Sequence, residues 1–133
     1  MTDASTKAGT VHHVSFRVTD LDVALDFYEG VLGCRRLQRP DDKMPVAGAW
    51  LEAGATQVHL VVAPATELTG YPPTGLAGSA NHVAFHVDDL DAAQAAFEKR
   101  GFAVRRGTIL PQFFVQDPDG NLIEFTASGS ENG

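Results

Sequence analysis

Four side chains of the kinds that bind divalent metals occupy related positions in this sequence: His13, His59, His82 and Glu124. Three imidazoles and one carboxylate supply nitrogen and oxygen donors that suit zinc, nickel, iron, manganese or cobalt, and donor type alone does not separate these metals. A metal held in this way acts as a Lewis acid on the oxygens of a bound substrate. The four residues therefore predict a metal site, provided that the fold brings them together.

The positions are related because two stretches of the chain are nearly the same. His13–Glu29 reads HVSFRVTDLDVALDFYE and His82–Glu98 reads HVAFHVDDLDAAQAAFE, with about half of the positions identical. A second echo relates VHLVV at 58–62 to IEFTA at 123–127. Repeats of this length indicate two similar supersecondary units packed together. Each unit opens on a predicted strand with His and closes on a predicted strand with His or Glu.

The first unit begins with a strand and a helix. Residues 13–18 alternate in polarity with the period of a strand. This alternation places His13 on the polar face, and we expect the preceding His12 to point to the opposite side. Asp20 or Asp22 can cap a helix whose apolar residues stop at Gly33.

Shorter strands complete each unit. In the first, residues 49–51 and 57–62 are predicted strands joined by a turn centred on Gly54. Asp117-Pro-Asp-Gly-Asn, in the second, has the composition of a tight turn. The remaining predicted elements of the second unit are a strand at 82–87, a helix at 89–101 and strands at 102–105, 113–116 and 122–126.

A length of 133 residues with 44% hydrophobic residues suits one domain. We expect a disordered lead at 1–10, a single domain at 11–126 and a tail at 127–133. Within the domain, module one covers 11–63, a linker covers 64–80 and module two covers 81–126. The linker is rich in Pro and Gly, which also suits a mobile loop over a site.

Composition excludes several classes of function. A net charge of −7 and a pI near 5.0 argue against nucleic acid as the main partner. No apolar run approaches the roughly 20 residues that cross a bilayer. A single cysteine, Cys34, forms no internal disulfide and no thiolate zinc site, and it indicates the reducing cytoplasm. The Arg clusters at 35–39 and 99–106 are expected to lie in solvent at helix ends.

The motifs together resemble a known superfamily. They are H-V-x-F-x-V-x-D-L-D, a helix with F-Y followed by L-G, a later N-H-V-A-F-x-V and a closing D-P-D-G-N-x-I-E. This pattern, from Val11 to Thr126, resembles the vicinal oxygen chelate superfamily of glyoxalases, bleomycin-resistance proteins and extradiol dioxygenases. The resemblance implies an α+β fold of two tandem βαβββ modules, forming a curved mixed sheet around a metal cleft, usually in a homodimer. The metal positions of the family correspond to the four residues named above.

The resemblance implies a class of chemistry and leaves the reaction open. It favours a metal-dependent isomerase or lyase of the glyoxalase-like branch, acting on a small substrate with vicinal oxygens that is carboxylate-bearing or thiol-conjugated. His59 fills a fourth ligand position that extradiol dioxygenases and fosfomycin-modifying enzymes do not use. Glyoxalase I typically has glutamate there, so Glu124 or His59 would have to serve as the catalytic base here. The alternatives are a metal-free drug-sequestering protein of the bleomycin-resistance kind and an Fe(II) extradiol dioxygenase that uses His13, His82 and Glu124.

Three further residues are predicted to contact the substrate. Arg17 matches an arginine of glyoxalase I that contacts the glutathione carboxylate, and guanidinium pairs with carboxylate in bidentate fashion. An ion pair with Glu52 or Asp88 is the structural alternative for Arg17. His86 holds the corresponding position in the second repeat. Trp50 is expected either to stack on a flat substrate or to pack in the core.

Overall fold

A computed structural model describes residues 7–63 and 75–127. The first six residues of the predicted lead, residues 64–74 of the predicted linker and the tail from residue 128 lie outside the described part. Two modules with the element order β-α-β-β-β follow one another along the chain. This order confirms the α+β class and the two-module organisation. No helix in the described ranges is long and apolar enough to span a membrane.

Module one forms a four-stranded mixed sheet. Its strands are β1 (His13–Val18), β2 (Arg35–Leu37), β3 (Gly48–Ala53) and β4 (Thr56–Val62). They lie in the order β1-β4-β3-β2, with β1 parallel to β4 and the other pairs antiparallel. Helix α1 (Leu21–Leu25) continues into a π-helical segment (Asp26–Val31), and a 3-10 turn (Asp41–Lys43) precedes β3. The strand β2, which the sequence pattern did not predict, completes the module.

Module two repeats this plan. It contains β5 (Val83–Val87), α2 (Leu90–Lys99), β6 (Arg105–Arg106), β7 (Gln112–Gln116) and β8 (Leu122–Ala127). The strand order is β5-β8-β7-β6, with β5 parallel to β8. Each module thus has its own sheet, and within one chain the two sheets are separate. The first strand of each module, β1 or β5, lies at a sheet edge.

The same side chain caps the helix in both modules. The Asp20 carboxylate accepts a hydrogen bond from the Val23 N–H at 3.2 Å, and Asp89 accepts one from the Ala92 N–H at 3.0 Å. An acidic side chain that accepts at this position is a strong start signal for a helix. The first helix does not continue to Gly33 as one regular α-helix, because it widens into the π-helical segment. Gly33 itself has a φ of +71°, which suits the residue that ends a helix.

The helix-covered faces of both sheets share one hydrophobic core. Phe27 of the π-helical segment lies 5.6 Å from Phe97 of α2 between ring centroids, and Phe97 lies 5.1 Å from Phe125 of β8. Phe16 of β1 stacks on Tyr28 at 5.5 Å, so the first sheet joins the same cluster. Both helices therefore lie between the sheets. The opposite face of each sheet, which carries the predicted metal ligands, is turned away from this core.

A polar contact also ties module two to module one. The turn after β7 places Asp117 against Tyr28, whose hydroxyl donates to Oδ2 of that carboxylate at 2.6 Å. Both residues are buried. Burial raises the pKa of Asp117, although the hydrogen bonds from Tyr28 and Asn121 act to lower it. The turn is further fixed by Asp119, which accepts from the N–H and hydroxyl of Thr19 at 3.1 and 2.8 Å.

The opposite end of the module boundary is open. A cavity of about 570 Å³ lies between the β3–β4 turn at Gly54 and strand β5. Val14 and Phe85 supply part of its apolar lining, and Cys34 borders it. Burial raises the pKa of the Cys34 thiol to about 11. The repeat is therefore closed by a polar turn at one end and left open at the other.

The arginine clusters correct one prediction. Arg35 and Arg36 belong to β2, not to a helix end, and the Arg39 side chain is only 5% exposed. Because the first helical segment stops at Val31 and turns at Gly33, the chain that follows can pair with β3. In the second cluster, Lys99 ends α2 as expected, whereas Arg105 starts the short strand β6. The first cluster therefore adds an edge strand to the sheet that carries the site.

Candidate metal and substrate site

The four predicted metal ligands form two pairs, one on each sheet. The imidazole rings of His13 and His59 are stacked, with centroids 3.9 Å apart and planes 11° apart. On the other sheet, His82 Nε2 lies 2.9 Å from Glu124 Oε1. Across residues 7–63 and 75–127, no group of three or more His, Cys, Asp or Glu side chains is arranged to hold a metal ion. One chain thus brings the ligands together two by two.

Strand register explains the pairing. In the parallel pair of β1 and β4, Ser15 is opposite His59, so His13 lies one side chain away from His59 on the same face. In the parallel pair of β5 and β8, Ala84 is opposite Glu124, and the contact of His82, one residue before β5, with Glu124 shows the same diagonal relation. The repeat therefore places both pairs by the same geometry.

Outer partners orient the pair on the second sheet. His82 Nδ1 is 2.7 Å from the carbonyl oxygen of Ala80, which can only accept, so Nδ1 carries the proton. The Gln112 side chain donates to Glu124 Oε2 at 2.8 Å. In a neutral imidazole the Nε2 lone pair then faces the carboxylate oxygen at 2.9 Å. Two such acceptors can lie this close only when a proton or a cation is shared between them.

The first pair has partners of a different kind. Trp50 of β3 stacks on His59 with centroids 4.9 Å apart, because the two residues are opposite in the β3–β4 register. His59 Nε2 is 2.9 Å from Oε1 of Gln57. Desolvation by burial, with smaller contributions from His13, His12 and Arg39, lowers the pKa of His59. An unprotonated imidazole keeps a lone pair for a metal or a proton.

His12 departs from its predicted direction. Its Nδ1 lies 2.8 Å from His13 Nδ1, and the two rings meet edge to face. The strand begins at His13, so the alternation of a strand does not govern His12. A hydrogen bond between the two rings fixes the orientation of the His13 imidazole. Sequence reasoning missed this contact, and it also missed Gln57 and Gln112.

The predicted substrate-binding residues are divided between the two sheets. Arg17 and Trp50 share the face of His13 and His59, since both belong to the same register set on the first sheet. The Nε of Arg17 is buried without a hydrogen-bond partner, and Glu52 pairs with Arg35 at 2.9 Å instead. His86 lies on the second sheet, where its Nδ1 is 3.3 Å from the Thr126 hydroxyl.

Comparisons with known proteins agree with the two-module architecture. Residues 10–125 match the model of the Glyoxalase/Bleomycin resistance protein/Dioxygenase superfamily. Lactoylglutathione lyase of Haemophilus influenzae is 33% identical over 132 residues, which cover 89% of this chain and 92% of that protein. The chain therefore belongs to this superfamily, as its motifs indicated.

Solved structures with the same fold include members of different kinds. A glyoxalase family protein from Bacillus anthracis superposes with a TM-score of 0.74 at 25% identity, covering 92% of this chain and 97% of that one. TnmS3, an antibiotic-binding protein from a Streptomyces species, superposes with a TM-score of 0.62 at 29% identity, covering 90% and 96%. The fold is thus shared by a glyoxalase family protein and by an antibiotic-binding protein.

Proposed function

We propose that this protein is a divalent-metal-dependent enzyme of the glyoxalase-like branch, with isomerase or lyase chemistry on a small substrate that carries two neighbouring oxygens. The observation that carries the proposal is the contact between His82 and Glu124. A nitrogen and an oxygen that are each about 2.1 Å from one metal ion, at roughly a right angle, lie about 3 Å apart. The 2.9 Å separation of His82 Nε2 and Glu124 Oε1 fits this requirement.

The proposed metal ligands are His13, His59, His82 and Glu124. The metal, when bound, would supply a Lewis acid that polarises the substrate oxygens and stabilises an enolate. Members of the superfamily commonly depend on divalent metals. The donor set accommodates Zn, Ni, Fe, Mn or Co, and the same outer partners that orient the rings support any of them.

We propose that a second copy of the chain completes the site. Each sheet supplies two donors, and the two donor faces are turned away from the shared core. Among the described residues, β1 pairs only with β4 and β5 pairs only with β8, which leaves one edge of each strand open. In a homodimer, the His13 and His59 pair of one protomer would meet the His82 and Glu124 pair of the other. A closed two-fold dimer would form two such sites.

His59 and Glu124 are the proposed groups that move a proton. Gln57 Oε1 accepts from His59 Nε2–H, which leaves the lone pair on Nδ1. Glu124 offers Oε1 toward His82, while Gln112 holds Oε2. A base must reach the substrate carbon as well as ionise correctly. His59 Nδ1 and Glu124 Oε1 are therefore the atoms proposed to take and return the proton, and the group that does so would first have to leave the metal, because one lone pair cannot hold both.

The proposed substrate carries a carboxylate near the metal-binding oxygens. Arg17 supports this because its Nε has no partner and no described carboxylate pairs with the guanidinium. Trp50 adds an aromatic surface beside His59 for the body of the substrate. His86 is proposed to line the half of the site that module two supplies.

One observation favours a second candidate, a metal-free drug-binding protein. TnmS3, which is 29% identical in sequence to this chain where the two align, is an antibiotic-binding protein. The stacked rings of Trp50, His59 and His13 form a flat aromatic surface that would also suit a planar drug. Metal content separates the two candidates, because drug sequestration needs no metal.

The test is metal analysis of protein purified without a metal-affinity tag, before and after chelation and reloading with each of the five metals. We expect about one bound metal per site, lost in His13→Ala and in Glu124→Ala with the circular dichroism spectrum unchanged. His86→Ala is the matched control and should retain the metal. Unchanged metal content in both ligand variants would refute the site, and a persistently metal-free wild type would favour drug binding.

Subunit mixing tests whether the site is shared between chains. When His13→Ala and Glu124→Ala protomers are unfolded, mixed and refolded, each mixed dimer has one site with four intact ligands. Random pairing then restores about a quarter of the metal sites of the wild type. A site formed within one chain would show no recovery, because every chain would carry a defective site.

A further inference from the structure

A buried arginine beside the candidate site has unused hydrogen-bond donors. The Arg39 side chain is 5% exposed. Nη1 donates to Asp41 Oδ1 at 2.5 Å and Nη2 donates to the carbonyl oxygen of Val46 at 2.8 Å. Nε is buried with no partner. Because a guanidinium offers five N–H groups, this buried cation is only partly satisfied by the described chain.

Space for a ligand lies next to this guanidinium. A cavity of about 310 Å³ is bordered by Arg39, Asp41, Leu37, Gly48 and Trp50. Gly48 makes room for the arginine, because a Cβ there would be 3.1 Å from Arg39 Nη2. The cavity therefore joins a partly satisfied cation to the indole that stacks on His59.

A second arginine with a buried, unpartnered Nε lies on the same face. In the register of the first sheet, Arg17 is opposite Val61, and Val61 is opposite Gly48. Two strand spacings put the Cα atoms of Arg17 and Gly48 about 10 Å apart. Side chains as long as arginine can approach one ligand from that separation. Arg17 Nε, like Arg39 Nε, is buried without a partner.

Unlike Arg39 and Arg17, whose Nε atoms have no partner, the neighbouring arginines have carboxylate partners that neutralise their charge. Arg36 forms two hydrogen bonds to Glu29 at 2.7 and 2.8 Å. Arg35 pairs with Glu52 at 2.9 Å. Asp41, the described carboxylate paired with Arg39, is 74% exposed, so water hydrates it and screens its interaction with the guanidinium. A chain of net charge −7 thus keeps buried guanidinium donors unused at one place on this face.

We propose that Arg39 forms an oxyanion subsite, which binds a carboxylate or phosphate-type group of the substrate on the far side of Trp50 from His59. The proposal rests on the proposed function, because it assigns the substrate of that site to the anionic class. The ligand oxyanion replaces Asp41 on the guanidinium, and Arg17 contacts the same ligand from across the sheet. The body of the substrate lies on the indole.

The test is a fluorescence titration of the metal-free protein, since Trp50 is the only tryptophan in the sequence. Inorganic phosphate and acetate are added separately at constant ionic strength, which removes general screening. We expect a saturable change with at least one anion, and the tighter of the two identifies the chemistry of the group. In Arg39→Gln the affinity should fall at least about tenfold, because a charge-assisted donor pair is lost.

Two further variants decide the result. Asp41→Asn removes the competing carboxylate, so the affinity for the anion should rise several-fold. Arg35→Gln is the matched control, and its affinity should equal that of the wild type. Equal affinity in wild type and Arg39→Gln would refute the subsite, and so would the absence of a saturable response. If Arg39→Gln does not fold, unchanged affinity in Asp41→Asn refutes it. Because no metal is present, these outcomes do not depend on the metal site.

Discussion

Removal of one hydroxyl group at the module boundary should destabilise the whole fold. In Tyr28→Phe the phenol loses its donor to Asp117, while the ring keeps its packing against Phe16 and Phe27. Asp117 then keeps its donors from Asn121 and Asp119 but loses the one that connects the two modules. The substitution therefore isolates a single contact between the modules.

The magnitude follows from the geometry. An O–H donor 2.6 Å from a buried carboxylate is a short, charge-assisted hydrogen bond. Hydrogen bonds to charged groups contribute about 1.5–3 kcal/mol, so we expect the free energy of unfolding to fall by about 2 kcal/mol at neutral pH. That loss is a substantial part of the roughly 5–15 kcal/mol that stabilises a typical domain.

The loss should depend on pH in a defined direction. Burial raises the folded-state pKa of Asp117 above its ordinary value. The folded state therefore favours the protonated form of Asp117, and the stability that this side chain contributes is present at low pH and is lost as the pH rises through its folded-state pKa. Tyr28 donates to the carboxylate form, which predominates at high pH. The effect of Tyr28→Phe should thus be largest at neutral pH and should shrink as Asp117 becomes protonated.

Urea unfolding followed by circular dichroism, at one protein concentration and over a pH series, measures this effect. A double-mutant cycle with Asp117→Asn gives the coupling between the two side chains. We expect the coupling energy to account for most of the loss. A loss below about 0.5 kcal/mol at neutral pH, the scale of a surface substitution, would show that this contact does not hold the modules together.

Two further substitutions and one reactivity measurement have defined outcomes. Gly48→Ala should lower the free energy of unfolding by more than about 2 kcal/mol, because the added Cβ would lie 2.2 Å from the carbonyl oxygen of Leu60. Gly75→Ala is the control in urea unfolding, since a Cβ added there would have no neighbouring atom within 4 Å. Phe97→Ala should cost about 3–5 kcal/mol in the same assay, since the ring is 2% exposed in the shared core, and an unfolding midpoint like that of the wild type would contradict this. The Cys34 thiol, with a pKa of about 11, should react with a disulfide reagent at pH 8 on the order of a hundredfold more slowly than free cysteine, and a rate equal to that of free cysteine would show the thiol to be exposed.

Elements with a strong local signal were predictable from the sequence. The bounds of β1 agree with the structure because residues 13–18 alternate strictly in polarity. The helix cap was predicted at Asp20 or Asp22, and Asp20 is the residue that caps. The turn at Gly54, with a φ of +57°, was also predictable, because it depends on one residue type. The strand β2 was not, since Arg35–Leu37 is short and its pairing with β3 is a tertiary contact. The π-helical segment also lacked a local signal.

The candidate site was predictable in part. The repeat predicted that all four ligand positions converge, whereas the described residues of one chain hold them as two pairs, His13 with His59 and His82 with Glu124. Each pair follows from strand register, because side chains on parallel strands follow a fixed period. The position of one ligand pair relative to the other depends on how the modules pack. No residue pattern within one module encodes this packing. The buried state of Arg39 was also beyond sequence reasoning, because the same residues read equally well as a solvated basic cluster.

The open end of the module boundary predicts where local opening of the fold begins. At the other end the Asp117 turn closes the boundary with buried hydrogen bonds, whereas the cavity beside β5 offers few contacts to lose. Local opening begins where few interactions must be broken. Amide protons of β5 should therefore exchange with solvent before those of β1, even though the two edge strands hold equivalent positions in the repeats. The duplicated chain thus has a preferred place at which to open.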